Sequence, residues 1–269
     1  MNAVFSWFLE VSVLALALTL FLILTAACEI GYLLGRRRGA RVDPDDHEHR
    51  VTSNLTSGMA ALLAFILGLS VNYAQGRFET RRDLVVTEAN AISVAWLRAR
   101  LVGGEEGNEI ADLIGQYAQT RLEFTTADTK APLDAINARA SEEQEAIWRL
   151  ATEVSRKAPT PIVATLVTGL NQMFDEARAQ RFAFIGESPG AMLEMLLGAS
   201  AIAIGAMGFE MGLRGHRQVV LTTLLLIMWS GAMVVAVDFN RPRVGLVRID
   251  PKPLEWTLHE IRSAPPPQP

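Results

Sequence analysis

The sequence is short of charge, nearly free of cysteine and without a recognisable catalytic signature. Only 20% of its 269 residues are Asp, Glu, Lys or Arg, against about a quarter in ordinary soluble domains. The deficit is uneven: residues 77–188 carry 13 Lys/Arg and 17 Asp/Glu, whereas residues 55–76 and 219–237 carry none. Segregation on this scale argues against one large soluble core and for membrane spans. The single cysteine, Cys28, excludes an intramolecular disulfide. A net charge of −4 gives no global basic field of the kind that draws a protein onto nucleic acid. There is no internal repeat, Walker loop, glycine-rich dinucleotide turn, HExxH, GxSxG or cysteine pair. No catalytic residue and no cofactor is therefore expected.

What is present is four long apolar runs, at about 11–34, 55–76, 189–212 and 219–239. Each is long enough to cross a hydrocarbon core of about 30 Å at about 1.5 Å per helical residue. The third is the shortest in practice, with 15 uncharged residues between Glu194 and Glu210. Ser188-Pro189 makes a good start for it, an N-cap residue followed by proline in the first turn. Leu24–Cys28 (LTAAC) imitates a lipoprotein cleavage box. No Lys or Arg precedes it, however, and the apolar run continues to Leu34 before meeting Arg36-Arg37-Arg38, which reads as a stop-transfer flank. Asn54-Leu55-Thr56 fits a glycosylation sequon, but at the lip of a span it is a poor acceptor.

Residues 77–188 read as helical throughout, with no strand-like alternation. Arg77–Val102 continues from the second span, and the glycines of 103–107 end it. A helix over Asn108–Thr126 has Ile110, Leu113, Ile114, Tyr117 and Phe124 largely on one face. A third covers Pro132–Lys157, stopped by Pro159-Thr160-Pro161. A fourth, Ile162–Phe184, aligns Val163, Leu166, Leu170, Met173, Phe174 and Ala177. Four amphipathic helices bury such stripes as a bundle. The expected fold is therefore all-α and polytopic. A first transmembrane pair occupies 1–76, an extramembrane helical region 77–188, a second pair 189–239, and a Pro/Arg-rich tail 240–269. In that tail, Asp238–Pro253 reads as an ordered loop against the membrane surface and Pro265–Pro269 as a frayed end.

Four features invite a functional reading. Asp43–His49 gathers acidic residues and two histidines, a ligand set for a divalent cation. With no rigid surround it reads as a solvated hairpin, and no metal site is assigned. Glu29, Glu194 and Glu210 sit toward span ends, where an interfacial position or an arginine partner relieves the burial penalty. In the second span, Ser57, Ala61, Ala64, Gly68, Asn72 and Gln75 recur at three- and four-residue steps. Such a small and partly polar face suits a water-filled pore, and equally suits close helix packing. Gly31–Gly35 and Gly208–Gly212 supply further GxxxG spacings. Arg77, Arg81, Arg82, Glu88 and Asn90 are expected to form a polar network just beyond the second span, with Asp238, Arg241 and Arg243 as partners.

Three segments carry a family resemblance: Gly31–Gly39 (GYLLGRRRG), Phe65–Leu101, and Arg241–Val247 (RPRVGLV). The middle one contains a glycine-bearing span, an arginine-rich exit at Arg77, Arg81 and Arg82, then Glu88-Ala89-Asn90-Ala91-Ile92 and Leu97-Arg98. In these the chain resembles the bacterial bestrophin-like domain family, a membrane domain of unknown function. The resemblance implies a multi-pass protein of the plasma (inner) membrane and kinship to oligomeric anion channels. It carries over no channel residue. The leading expectation is an oligomeric pore whose partners are the lipid bilayer, further copies of the chain and an ion. The alternative is a membrane-anchored scaffold or sensor acting through its helical extramembrane region.

Orientation is argued both ways, and because the first helix usually dominates the central region is expected outside. Arg36, Arg37, Arg38 and Arg41 follow a span that no basic residue precedes, which places 36–54 in the cytoplasm and 77–188 outside. Arg77, Arg81, Arg82, Arg241, Arg243, Arg248 and Lys252 flank the other face. The resemblance, too, would put the central region and both termini inside.

Overall fold

The computed structural model describes residues 12–40, 46–127, 132–185, 190–241 and 245–265. Among them are eight helices and no strand: α1 Val13–Gly39, α2 Asp46–Val102, α3 Gly104–Thr126, α4 Leu133–Lys157, α5 Pro161–Ile185, α6 Gly190–Arg214, α7 Val219–Phe239 and α8 Lys252–Ser263. Four of these, α1, α2, α6 and α7, are long and apolar enough to span a membrane. The chain is an all-helical, polytopic membrane protein. It divides into two compact units, Met1–Arg77 with Glu187–Val247, and Phe78–Gly186 with Arg248–Pro269.

The first unit holds the four spans. Helix α1 starts at Ser12, whose Oγ accepts the Ala15 N–H at 3.2 Å, and ends on Arg36, Arg37 and Arg38, where positive charge meets the carbonyl end of the helix dipole. Its glycines pack against α6 in parallel register. A Cβ on Gly31 would strike the Gly205 carbonyl, and one on Gly35 the Phe209 carbonyl. The reverse holds for Gly208 against Cys28 and Gly212 against Tyr32. Small residues let the two backbones touch, the main source of helix association where lipid removes the hydrophobic difference. Leu16, Leu20 and Leu24 of α1, Leu63 and Leu67 of α2, Leu196 of α6 and Met233 of α7 fill the remaining core. Between α6 and α7, Trp229 donates its Nε1–H to Ser200 Oγ at 3.1 Å, so two polar groups at membrane depth satisfy each other.

The second unit is a helical bundle. Its core joins Val85 and Ile92 of α2 to Ile110, Ile114, Tyr117 and Phe124 of α3, Ile147 of α4, and Leu166, Leu170 and Met173 of α5. The stripe residues expected on Asn108–Thr126 and Ile162–Phe184 are buried here, with Leu113 partly so. Helix α2 begins at Asp46, so Asp46–His49, read as part of a hairpin, are helical, and two features of the bundle also differ from expectation. Helix α3 begins at Gly104 rather than Asn108, because Gly103 and Gly104 adopt φ of 69° and 67° and turn the chain in one step. Glu105 and Glu106 then occupy the first turn, where a helix N-terminus favours negative charge. The second difference is α8, a helix inside the segment read only as a tail. It seats Leu254 and Leu258 in the bundle core, and Thr257 Oγ1 donates to the Ala89 carbonyl at 3.3 Å.

Candidate functional site

Within the first unit, the second span has one packed face; beside its small residues, Leu55, Leu62, Phe65, Leu69 and Tyr73 are exposed too. Thr56, Leu63, Leu67, Ser70 and Ala74 are buried against the other spans. Ser57, Ala61, Ala64, Gly68, Asn72 and Gln75 are exposed in the single chain. Nothing lies within 4 Å of where a Cβ on Gly68 would stand. The close glycine packing of this chain belongs to α1 and α6, so that seam gives no reason for the small residues of α2. What the α2 face offers is a column of small side chains ending in two amides, without fixed charge.

At the end of the last span, Asp238 is 4% exposed and organises the following loop. Its carboxylate accepts the Leu246 N–H at 3.1 Å through either oxygen, and the Val247 N–H at 3.0 Å through Oδ2. Gly245 makes this approach feasible: its φ is 157°, and a Cβ there would strike the Asp238 carboxylate. The glycine of the RPRVGLV segment thus has a local structural reason. Arg241 is buried and its backbone N–H donates to the Asp238 carbonyl at 2.9 Å. Arg243 and the side chains of the Asp43–His49 cluster lie outside the described residues.

Also in the first unit, Glu29 is held by Arg217, whose two terminal nitrogens donate to its two oxygens at 3.1 Å each. The same guanidinium sits 4.0 Å from the centre of the Tyr32 ring. Glu210 pairs with Arg214 one turn on, at 2.7 Å. Two of the three span-end carboxylates therefore have arginine partners, and the third, Glu194, is exposed.

The second unit contains the densest buried polar cluster. Arg81 of α2, 2% exposed, donates its Nε–H to the Ala183 carbonyl of α5 at 2.9 Å. Two turns along, Glu88 accepts the Nε–H of Arg121 on α3, and Arg121 also donates to Gln180 Oε1 on α5. The Gln180 amide nitrogen donates to Thr125 Oγ1 at 3.2 Å. Arg121 lies 4.5 Å from the centre of the Phe124 ring. Burial pushes the Glu88 carboxyl up, against the downward pull of the Arg121 guanidinium. Burial alone would lower Arg121, but the facing Glu88 carboxylate turns its net shift upward. The second carboxylate oxygen, Oε2 of Glu88, is buried without a hydrogen-bond partner. Asn90 and Arg82 are exposed, and Arg77 is half-buried.

Of this cluster, sequence reasoning singled out Arg81 and Glu88 and missed Arg121, Thr125 and Gln180. A signal for two of them was present. Arg121 continues the 110–114–117–124 stripe and Gln180 the 166–170–173–177 stripe, so each is a polar residue at an apolar position on its own helix. Polar residues on the inward faces of several helices point to a shared buried network.

The model of the bestrophin-like domain matches residues 8–254. Two crystal structures of a bacterial bestrophin homolog from Klebsiella pneumoniae, each with a mutation, share the fold. One has a TM-score of 0.64 at 15% identity, over 94% of this chain and 99% of that chain. The other has a TM-score of 0.61 at 15% identity, over 93% and 96%. No curated protein matches.

Proposed function

The chain belongs to the bestrophin-like family, and we propose that it works as an oligomeric ion channel whose path is lined by the second span. The observation that supports this most is the open α2 face. Ser57, Ala61, Ala64, Gly68, Asn72 and Gln75 are exposed in the single chain, a strip of small residues between the packed face and the exposed Leu62, Phe65 and Leu69. Lipid has no preference for a column of small residues ending in two amides, whereas water does. Copies arranged around an axis would turn these columns inward, with Asn72 and Gln75 offering hydrogen bonds to a permeating ion's hydration shell. In this reading the protein is a multi-pass component of the plasma membrane, its partners are lipid and further copies of itself, and it carries out no bond-making chemistry.

A second reading, a membrane-anchored scaffold, is favoured by a different observation. In the extramembrane unit Phe182, Leu101, Leu97 and Trp256 are exposed although the core is complete, as expected of a protein-binding surface.

One preparation distinguishes the two. Purified protein is sized by light scattering and reconstituted for ion flux, alongside Gly68→Leu. The channel reading expects flux in the parent, and an unchanged oligomer with lost flux in the variant. A parent that assembles but passes no ion leaves the scaffold. A variant that keeps normal flux shows that the path runs elsewhere.

A further inference from the structure

We propose that the cavity at the hairpin between α6 and α7 holds part of one acyl chain of an anionic phospholipid, with the lipid phosphate resting on Arg214 and His216 at its rim. This site lies in the four-span unit, away from the open α2 face, and does not depend on whether the protein conducts ions.

The cavity has a volume of about 260 Å³. Small-molecule pockets run from roughly 300 to 1,000 Å³, so this one suits a segment of hydrocarbon rather than a whole lipid. Its interior is apolar and adaptable: Ile204, Met207, Leu221 and Leu225 line it, and Met211 projects from α6 to receive the Thr222 hydroxyl at 3.5 Å. Methionine fits irregular occupants well because its chain is unbranched and its sulfur polarizable. Such a lining does not favour water. At the rim the chemistry changes to Glu210, Arg214, His216 and Gln218.

Charge selects the headgroup. Parallel packing of α1 and α6 puts the last turn of α1, with Arg36, Arg37 and Arg38, at the same end as Arg214 and the loop carrying Arg217. Facing these five arginines at that end are Glu29, bound by Arg217, and Glu210, bound by Arg214. The Arg214 side chain is 52% exposed, so its pair with Glu210 is weak and a phosphate can compete for it. His216 Nδ1 lies 2.7 Å from the Arg214 carbonyl, so its N–H donates there, and Nε2 donates to a phosphate oxygen when it too carries a proton. A basic rim at the edge of a span, beside an apolar slot, matches an acidic headgroup on an acyl chain.

The chain supplies its own reporter. Cys28, its only cysteine, lines the cavity, so alkylation by N-ethylmaleimide senses occupancy. With full-length protein in detergent, phosphatidylglycerol is expected to slow Cys28 alkylation severalfold, phosphatidylcholine at the same mole fraction much less, and inorganic phosphate not at all. In Arg214→Gln/His216→Gln, with its elution profile unchanged, the two lipids should become equal. Met211→Trp, which fills the slot, should slow alkylation without lipid. Equal protection by the two lipids in the parent overturns the headgroup assignment. Equal protection by inorganic phosphate overturns the lipid in favour of a plain anion site. Should Cys28 resist alkylation in every condition, phosphatidylglycerol retained through native mass spectrometry decides: equal retention by parent and double variant overturns the proposal, and loss in the variant supports it.

Discussion

Arg121 donates its Nε–H to the Glu88 carboxylate at a point where the two side chains are 3% and 0% exposed, so each charge has exchanged water for the other. Removing one member of such a pair leaves the other uncompensated, at about 3–5 kcal/mol, whereas an apolar pair of similar volume is often neutral or better. Glu88→Leu and Arg121→Met alone should each lower the thermal midpoint sharply. The double variant should recover most of the loss, with some deficit because Gln180 keeps an acceptor that Arg121 served. Additive single effects in differential scanning fluorimetry would mean that the two residues act separately.

Alkaline pH should weaken the bundle through Tyr117. Burial pushes its hydroxyl up to about 12, while Gln144 donates to the oxygen at 2.8 Å. An unfolded tyrosine ionises near 10.0. The folded pKa is the higher one, so this stabilisation is complete below pH 10 and falls away as pH rises from 10 to 12. The loss reaches roughly 2–3 kcal/mol. Tyr117→Phe should be flatter across that window in thermal midpoint against pH. A parent and variant that decline in parallel would remove Tyr117 as the cause.

Glycines in the membrane unit should divide into two classes. Gly35→Ala and Gly208→Ala place a methyl group onto a facing backbone carbonyl, which no side-chain rotation relieves. Overpacking of this kind typically costs about 1–3 kcal/mol, and it should appear as lower yield and a lower midpoint in detergent. Gly68→Ala meets nothing within its own chain and should leave the midpoint nearly unchanged. A matching loss in all three would place Gly68 in a packing seam between subunits.

Asp238→Ala should release the loop after the last span, because the Leu246 and Val247 N–H groups lose their acceptor. Unmet buried donors cost about 1–3 kcal/mol. The direct readout is trypsin cleavage within residues 241–248, expected to accelerate in Asp238→Ala and in Gly245→Ala. Unchanged cleavage would mean that other contacts hold the loop.

The spans and the amphipathic helices were legible in the sequence because both depend on local patterns. An unbroken apolar run marks a span, and Val163, Leu166, Leu170 and Met173 mark a stripe by spacing alone. Helix α8 was not, since Pro251, Pro253 and the flanking arginines resemble a loop, and its apolar pair Leu254 and Leu258 gains meaning only from the bundle that receives it. The buried cluster was half legible. Arg81 and Glu88 drew notice as charges beyond a span, but Arg121 and Gln180 are identified by a partner on another helix, and sequence spacing does not name that partner. Similarly, a GxxxG spacing says that a backbone can come close. It does not say which backbone, and here α1 and α6 meet while Gly68 faces open space.

The position of α8 also bears on how the protein is made. Residues 78–186 leave the ribosome with a gap in their core, because Leu254 and Leu258 belong to it and lie beyond both remaining spans. The bundle waits for α6 and α7 to be threaded into the bilayer before its last helix arrives, a delay on the order of seconds at about 5–20 residues per second. During that interval the unfinished bundle presents an apolar slot to chaperones and proteases. A chain stalled in the membrane is therefore marked as incomplete on its water-exposed side, and arrival of α8 removes the mark.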